Sequence, residues 1–505
     1  MKSKIFLAGC LTLCVMSCDD FLEVQSQTNL TTATFFKSQS DFEKAVTGAY
    51  APLRGLFNSG ANGSTGSWLM GEMHSDNARY RYNPNFRATI DQEQIADFIY
   101  LANNTASTNK YQGYYSIIAR TNQILALIDG VEFDAAAKAN IKGQAFFLRA
   151  LSYFDLVQYF GKLPLHLVPS TGLSDVALPL SEVDVIYDQI IADATQAATL
   201  LPAKSTQTPG RATSGAAKTL LGNVHIVLKD YAAAETVLKE VVTSNQYQLM
   251  SNYRAIFDPA NKNNSESVFE VQYLQGAGGF QSNFGYSFLP VPLTAAEVTS
   301  VWTGLGFPTL PTSIQALTTP EGFNIPTPDL IAAYEPGDLR KDATIATITT
   351  GGVTYPFNTK YLFPHQLAGN TNSNWPVYRY SEVLLLLAEA LNEQNKTAEA
   401  LTYLNLVHAH SRTGLAPLAA TSQAALRDLI MNERRVELAF ENKRWLDLVR
   451  TGQVAAVITA YGARVKANPQ AYYFPPGQAP VPAAFNDTRT TFDLPAAESL
   501  LSPFF

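Results

Sequence analysis

Two stretches of the chain, 220–242 and 386–407, repeat one spacing of small and large apolar residues. In each, a leucine precedes a small residue, a second small residue comes twelve positions later, and another leucine follows four positions on. The residues are Leu221, Gly222, Ala234 and Leu238 in the first stretch, and Leu387, Ala388, Ala400 and Leu404 in the second. Small residues at this spacing let two antiparallel helices approach closely. One such pair buries little apolar surface alone, so the pairs must stack on neighbours.

The spacing matches that of tetratricopeptide units, which are stacked helical hairpins. Helical periodicity dominates the regions of about 38–250 and 377–460, and a divergent helical pair is predicted over 111–129 and 143–161. The intervening region, 251–376, is rich in Pro, Gly, Thr and Asn, which indicates loops and short strands. The predicted fold class is therefore mainly α. Tetratricopeptide-like helical hairpins form a scaffold, and the loop-rich region with short strands is laid over one side of it.

The first eighteen residues contain all three cysteines of the chain, the last of which is Cys18. Lys2 and Lys4 precede an apolar run of the length of a signal-peptide core. The small residue before the cysteine then resembles a bacterial lipobox, Val15-Met16-Ser17-Cys18. This resemblance implies a lipoprotein signal peptide over 1–17, cleavage before Cys18 and lipidation of Cys18. The alternative is an ordinary signal peptide with a chance cysteine.

Cleavage there would leave one cysteine, already lipidated, in residues 18–505. Disulfides, thiolate zinc sites and cysteine nucleophiles are then excluded. The formal charge is −7 for the whole chain and −9 without Lys2 and Lys4, and there is no block of Lys and Arg. Nucleic acid is therefore not expected as a partner. No later run approaches the roughly 18 apolar residues of a membrane-spanning helix, so Cys18 is the predicted membrane attachment.

Three carboxylates, Glu433, Glu437 and Glu441, recur every four residues and are predicted to share one helix face. Such a row could perform acid–base chemistry. A structural role is favoured because Arg434 and Arg444 are spaced for i,i+3 ion pairs with Glu437 and Glu441. The expected buried side of this helix comprises Val436, Phe440, Trp445 and Leu448.

Common catalytic motifs are missing from the sequence. It contains no Gly-x-Ser-x-Gly, no His-Glu-x-x-His and no phosphate-binding Gly-x-x-x-x-Gly-Lys. His408 and His410 are two residues apart and would point to different faces of a helix, which disfavours a metal pair. We therefore predict that the protein is not an enzyme and uses neither a cofactor nor a metal.

The segment 432–452 resembles the C-terminal signature of the SusD/RagB family, surface lipoproteins of Bacteroidetes nutrient-uptake systems. Further segments resemble the same family, in family order, over nearly the whole chain after the signal. They are "SCDDFLE" (17–23), "FLRALSYFDLVQYFGKLPL" (147–165), "NNSESVFEVQY" (263–273), "DLIAAYEPGDLRKDATI" (329–345) and "YRYSEVLLLLAEALNE" (378–393). Two places depart from the family pattern. His408 and His410 stand where arginine-rich sequence is usual, and "FDLPAAESLLSPFF" only faintly matches the closing motif.

The resemblance implies one SusD-like domain over 18–505, on the cell surface and anchored to the outer membrane by lipid. It implies capture of an oligosaccharide and its delivery to a SusC-like TonB-dependent transporter, the expected partner. The alternatives are a peptide-capturing protein of the same family, a surface glycoside hydrolase, and a structural helical-repeat adaptor.

Sugars present apolar CH faces and many hydroxyl groups, so their sites combine aromatic side chains with amide and charged groups. Two stretches, 74–86 and 284–304, offer this mixture in a predicted loop context. Trp302 is the first choice, because it follows a Gly/Pro-rich region and precedes Gly304. The predicted ligand-binding residues are Tyr80, Arg81, Tyr82, Asn83, Tyr286 and Trp302. For each aromatic residue, core packing is the alternative.

Overall fold

The computed structural model describes residues 35–59, 66–84, 90–172, 175, 177–308, 310, 314–318, 322–420, 422–502 and 504. The predicted signal peptide and Cys18 lie outside the described residues.

The first part of the chain forms a stack of helices. The helices are α1 (Gln39–Phe57), α2 (Ile90–Ala96), α3 (Thr105–Leu127), α4 (Ala135–Phe160), α5 (Val183–Leu200), α6 (Ser214–Val227) and α7 (Tyr231–Thr243). From α4 to α7, each helix packs on the helix before it, and α1 packs on both α3 and α4. A π-helical turn, Leu69–Met73, lies between α1 and α2. The predicted divergent helical pair is confirmed as α3 and α4.

The middle of the chain contains the short helices α8 (Phe284–Ser287), α9 (Ala295–Gly304), α10 (Pro328–Ala333) and α11 (Leu339–Thr344). Eight short strands occur among the described residues: β1 (Ala78–Arg79), β2 (Leu163–Pro164), β3 (Leu180–Ser181), β4 (Ser267–Val271), β5 (Ile325–Pro326), β6 (Ile345–Thr350), β7 (Val353–Asn358) and β8 (Trp375–Arg379). They form four antiparallel pairs, β1–β5, β2–β3, β4–β8 and β6–β7.

The last part of the chain contains the helices α12 (Tyr380–Glu393), α13 (Thr397–His408), α14 (Gln423–Glu437), α15 (Arg444–Arg450), α16 (Val454–Ala467) and α17 (Ala496–Leu501). This second helical region completes the scaffold, since α12 packs on α6, α7, α13 and α14. The mainly helical fold class, with a loop-rich region of short strands, is thereby confirmed.

The close approach predicted within the helical hairpins is also confirmed. A Cβ atom added at Gly222 in α6 would lie only 2.6 Å from side-chain carbons of Leu238 in α7. In the second hairpin, α12 and α13, Ala388 and Ala400 are completely buried. A larger side chain at these positions would push the two helices apart.

The predicted helix face of three carboxylates is interrupted. α14 ends at Glu437, and Glu441 lies in the turn before α15, between two residues with positive φ angles, Phe440 (+66°) and Asn442 (+67°). The buried side of the segment is nevertheless as expected, because Val436, Phe440, Trp445 and Leu448 are each at most 2% exposed.

The two i,i+3 ion pairs predicted along this segment do not form. Arg434 instead donates to Asp447 at 2.9 Å, and Arg444 donates to Asp76 at 2.8 Å. Both partners lie beyond the end of α14 or in another part of the chain, so tertiary contacts replace the local pairs.

Glu433, Glu437 and Glu441 belong to one buried ion cluster. Glu437 accepts hydrogen bonds from the guanidinium groups of Arg340, Arg379 and Arg412. Burial alone would raise the pKa of Glu437, but these arginines override it and hold the pKa far below its ordinary value. The cluster comprises Glu266, Asp338, Arg340, Lys360, Arg379, His408, Arg412, Glu433, Glu437 and Glu441. Since Glu266, Arg340 and Lys360 come from the loop-rich region, the cluster joins that region to the scaffold.

Candidate functional site

The two stretches predicted to carry ligand-binding residues meet in the fold. The backbone N–H of Arg81 donates to the carbonyl of Gly322 at 2.8 Å. Its guanidinium Nη1 donates to the carbonyls of Pro290 and Val291 at 2.9 and 3.0 Å. Residues that follow β1 therefore lie directly against the segment between α8 and α9.

The residues just before Arg81 are anchored in the interior. Arg79 and Tyr80 both donate to the carboxylate of Asp97, at 2.7 and 2.9 Å. Burial is the largest, and the negative charge of Asp97 the next largest, of the causes that raise the pKa of Tyr80 well above its ordinary value. Tyr80 is only 4% exposed, so it serves to fix the chain and does not present its ring at the surface. The prediction of Tyr80 as a ligand contact does not fit this position.

The next residues, Arg81, Tyr82 and Asn83, are half-buried, and Pro84 is exposed. The Tyr82 ring stacks on Phe474, with centroids 5.0 Å apart and planes inclined by 28°. The Arg81 guanidinium lies 4.5 Å from the ring centroid of Tyr355. We call the surface formed by Arg81, Tyr82, Asn83 and Pro84 on these two supporting rings the Tyr82 surface.

The prediction that Trp302 lies on a loop is wrong. It lies within α9, which begins with a capping box in which the Thr294 and Glu297 side chains satisfy each other's backbone N–H groups. Val298, Val301 and Trp302 form an i, i+3, i+4 stripe on the inner side of the helix. The Trp302 side chain is completely buried, so neither face of its indole is open to a ligand in this structure.

Tyr286 is buried beside Trp302. It is 9% exposed, and its hydroxyl shares a hydrogen bond of 2.7 Å with Nε2 of His365. Burial lowers the pKa of that histidine, which favours its neutral form at neutral pH. Tyr286 and Trp302 belong to a small second core within the loop-rich region. Its buried members are Tyr286, Leu289, Val291, Leu293, Val298, Val301, Trp302, Phe357 and Leu362.

Three aromatic residues around the Tyr82 surface do not appear among the sequence predictions. Tyr355 comes from β7, while Tyr473 and Phe474 come from the segment after α16. The aromatic run Tyr472-Tyr473-Phe474, directly before two prolines, was the available signal in the sequence. Its position in the fold could not be read from that pattern, because more than a hundred residues separate it from the other parts of the site.

The Tyr82 surface combines an aromatic face, a guanidinium group and an amide side chain on backbone that is anchored at Arg81. This chemistry suits stacking and hydrogen bonding with a polar, uncharged ring. No group of three or more metal-ligating side chains occurs in the part of the chain that the structure describes. Within that same part, every helix is too short or too polar to cross a bilayer.

The protein is thus a scaffold of helical hairpins that supports a surface of aromatic and polar side chains carried on loops. Two family models match the chain: one described as the SusD family over residues 339–502, and one described as starch-binding associating with outer membrane over 20–226. The chain belongs to the SusD/RagB family.

Relatives of known name or structure are similar over most of their length. SusD-like protein P25 of Formosa agariphila is 26% identical, with 88% of each chain covered. A SusD-like carbohydrate-binding protein of Bacteroides fragilis superposes with a TM-score of 0.75 at 24% identity, covering 93% of this chain and 99% of the other. A laminarin-binding SusD-like protein gives a TM-score of 0.72 at 23% identity, covering 92% and 98%.

Proposed function

We propose that the protein captures a glycan at the cell surface and delivers it to a SusC-like TonB-dependent transporter in the outer membrane. The Tyr82 surface carries this proposal, because it is a supported aromatic face next to hydrogen-bonding groups on the loop-rich side of the scaffold. The proposal is further supported by family membership and by the solved relatives that are named for binding carbohydrate or laminarin.

Attachment to the membrane is proposed to occur through lipid on Cys18. A single acyl chain gives only marginal membrane binding, so stable anchoring requires more than one chain, as bacterial lipoproteins carry. A Cys18→Ala variant expressed in a Bacteroidetes host should lose metabolic palmitate label and leave the membrane fraction. Retention of both label and membrane attachment would contradict this assignment.

The protein is proposed to act without turning over its ligand. A glycoside hydrolase needs two carboxyl groups that flank the sugar bond. The carboxylates Glu433, Glu437 and Glu441, which form the most regular acidic row in the sequence, are each at most 2% exposed and bonded to cations. They are therefore not available to a glycan.

The test is a binding screen of the purified protein against neutral and acidic polysaccharides by affinity electrophoresis, with a peptide library beside it. Retardation by a glycan, with no new reducing ends after long incubation, is the expected result. Binding of peptides alone would favour the peptide-capturing alternative. Release of reducing ends that survives repurification and is lost on changing one carboxylate would identify an enzyme.

A further inference from the structure

We infer that the Tyr82 surface is one end of a longer groove that binds an extended neutral glycan chain, an inference that rests on the proposed function. An open groove with a volume of about 810 Å³ is lined by α10, α11, β7 and the segment after α16. Binding pockets for small molecules have volumes of roughly 300–1,000 Å³. The groove alone therefore has room for more than one sugar ring.

Side-chain contacts place this groove beside the Tyr82 surface. Tyr473 lines the groove, and its ring centroid lies 6.1 Å from that of Tyr355, the ring that supports Arg81. The next residue, Phe474, is the ring on which Tyr82 stacks. The same short segment thus supports the Tyr82 surface and forms a wall of the groove.

The backbone makes a second connection. Arg81 follows β1, and β1 pairs with β5, which ends at Pro326. The hydroxyl of Tyr473 donates to the carbonyl of Pro326, and Pro328, two residues later, begins the groove wall formed by α10. The Tyr82 surface and the groove are therefore joined through this buried strand pair.

The groove offers the mixture of surfaces that a sugar chain uses. Leu339 is 55% exposed and Ala332 is also exposed, which supplies apolar area for CH faces. Glu335, Lys341 and Asp342 line the same groove with hydrogen-bonding groups. Two exposed carboxylates against one ammonium group make the groove acidic, and this disfavours sulfated or uronic-acid chains by like-charge repulsion.

The expected consequence is that affinity rises with chain length. The test uses isothermal titration calorimetry with the two-unit and six-unit members of the laminari- and malto-oligosaccharide series. Leu339→Ala removes apolar contact in the groove, and Ala332→Arg fills the groove with a bulky side chain. The matched control is Leu274→Ala, since Leu274 is 61% exposed and lies outside both the groove and the Tyr82 surface.

The six-unit sugar should bind the wild type more tightly than the two-unit sugar does. Leu339→Ala should weaken the six-unit sugar about fivefold, the effect of losing one moderate contact in an interface, and leave the two-unit sugar unchanged. Ala332→Arg should act in the same direction, and it carries the test if Leu339→Ala fails to fold. Tyr82→Ala should weaken both sugars, and Leu274→Ala should weaken neither.

Three results overturn the inference. Equal affinity for both lengths, or no effect of either groove variant while Tyr82→Ala still weakens binding, contradicts the groove and leaves the proposed function intact. Failure of the wild type to bind either series, or any neutral polysaccharide of the binding screen, contradicts neutral-glycan capture and the groove together.

Discussion

Trp302 contacts three other rings in the second core. The centroids of Tyr286, Phe307 and His365 lie 5.4, 6.5 and 5.6 Å from its own. Trp302→Ala would leave a large cavity there, and replacement of a buried tryptophan by alanine commonly costs about 3–5 kcal/mol of unfolding free energy. Urea denaturation followed by circular dichroism measures this loss. A variant within about 1 kcal/mol of the wild type would contradict the burial of Trp302.

The sequence contained signals both for a loop and for a helix at Trp302. Gly304 and the preceding prolines indicated a loop, whereas the capping box from Thr294 to Glu297 and the stripe ending at Trp302 indicated a helix. The helix signals describe three-residue and four-residue spacings that a packed helix requires, while one glycine is compatible with a helix end. The spacing was therefore the better guide to burial.

At the scale of elements, α14 and α15 are held together by Asp447. Its carboxylate accepts hydrogen bonds from Arg434 at 2.9 Å and from Arg450 at 2.7 Å. Asp447→Asn leaves two buried guanidinium groups without this charge, and removal of one partner from a buried ion pair costs about 3–5 kcal/mol. Asp188→Asn, on the exposed side of α5, is the control and should be neutral.

The same carboxylate gives a predicted pH dependence. Burial alone would raise the pKa of Asp447, but Arg434 and Arg450 override burial and lower it from its ordinary value of 3.8 to about 2. A carboxylate whose pKa is lowered by folding stabilises the fold fully at pH values above its unfolded-state pKa. This contribution to stability is lost as the pH falls toward 2. The stability difference between wild type and Asp447→Asn should therefore shrink by about 2 kcal/mol between pH 5 and 2. A difference that stays constant over this range would show that the Asp447 charge is not stabilised.

The helices and their pairing into hairpins were largely predictable from local sequence patterns. The contacts between side chains of different elements were not. Small residues at Gly222 and Ala388 indicated the hairpins, because close helix packing requires them at fixed spacing. The ion pairs of Arg434 and Arg444 are made with Asp447 and Asp76, and no local rule connects an arginine to a carboxylate in a different element. The supporting ring of Phe474 was missed for the same reason.

At the scale of the whole molecule, four of the six segments that carry the family resemblance meet at one place. Glu266, Arg340, Arg379 and Glu437 each come from a different one of these segments and are linked within the buried ion cluster. Since an uncompensated buried charge is costly, the loop-rich region and the scaffold should not unfold independently.

We therefore predict a single cooperative unfolding transition, although chains of this size often unfold in steps. Differential scanning calorimetry should give one peak whose van't Hoff enthalpy equals the calorimetric enthalpy. Two separate peaks, or an enthalpy ratio well away from unity, would show that residues 18–505 contain more than one independently folding unit.

We propose that the Tyr82 surface binds glycan, and isothermal titration calorimetry of Tyr82→Ala tests this claim. Loss of a large aromatic contact at a binding hot spot costs about 2 kcal/mol or more. The ligand is the glycan retained in the binding screen, and Tyr403→Ala is the matched control, because Tyr403 is also half-buried but lies in α13. We predict at least a tenfold loss of affinity for Tyr82→Ala, an unchanged Tm and wild-type binding by Tyr403→Ala. Wild-type affinity in folded Tyr82→Ala would contradict the claim.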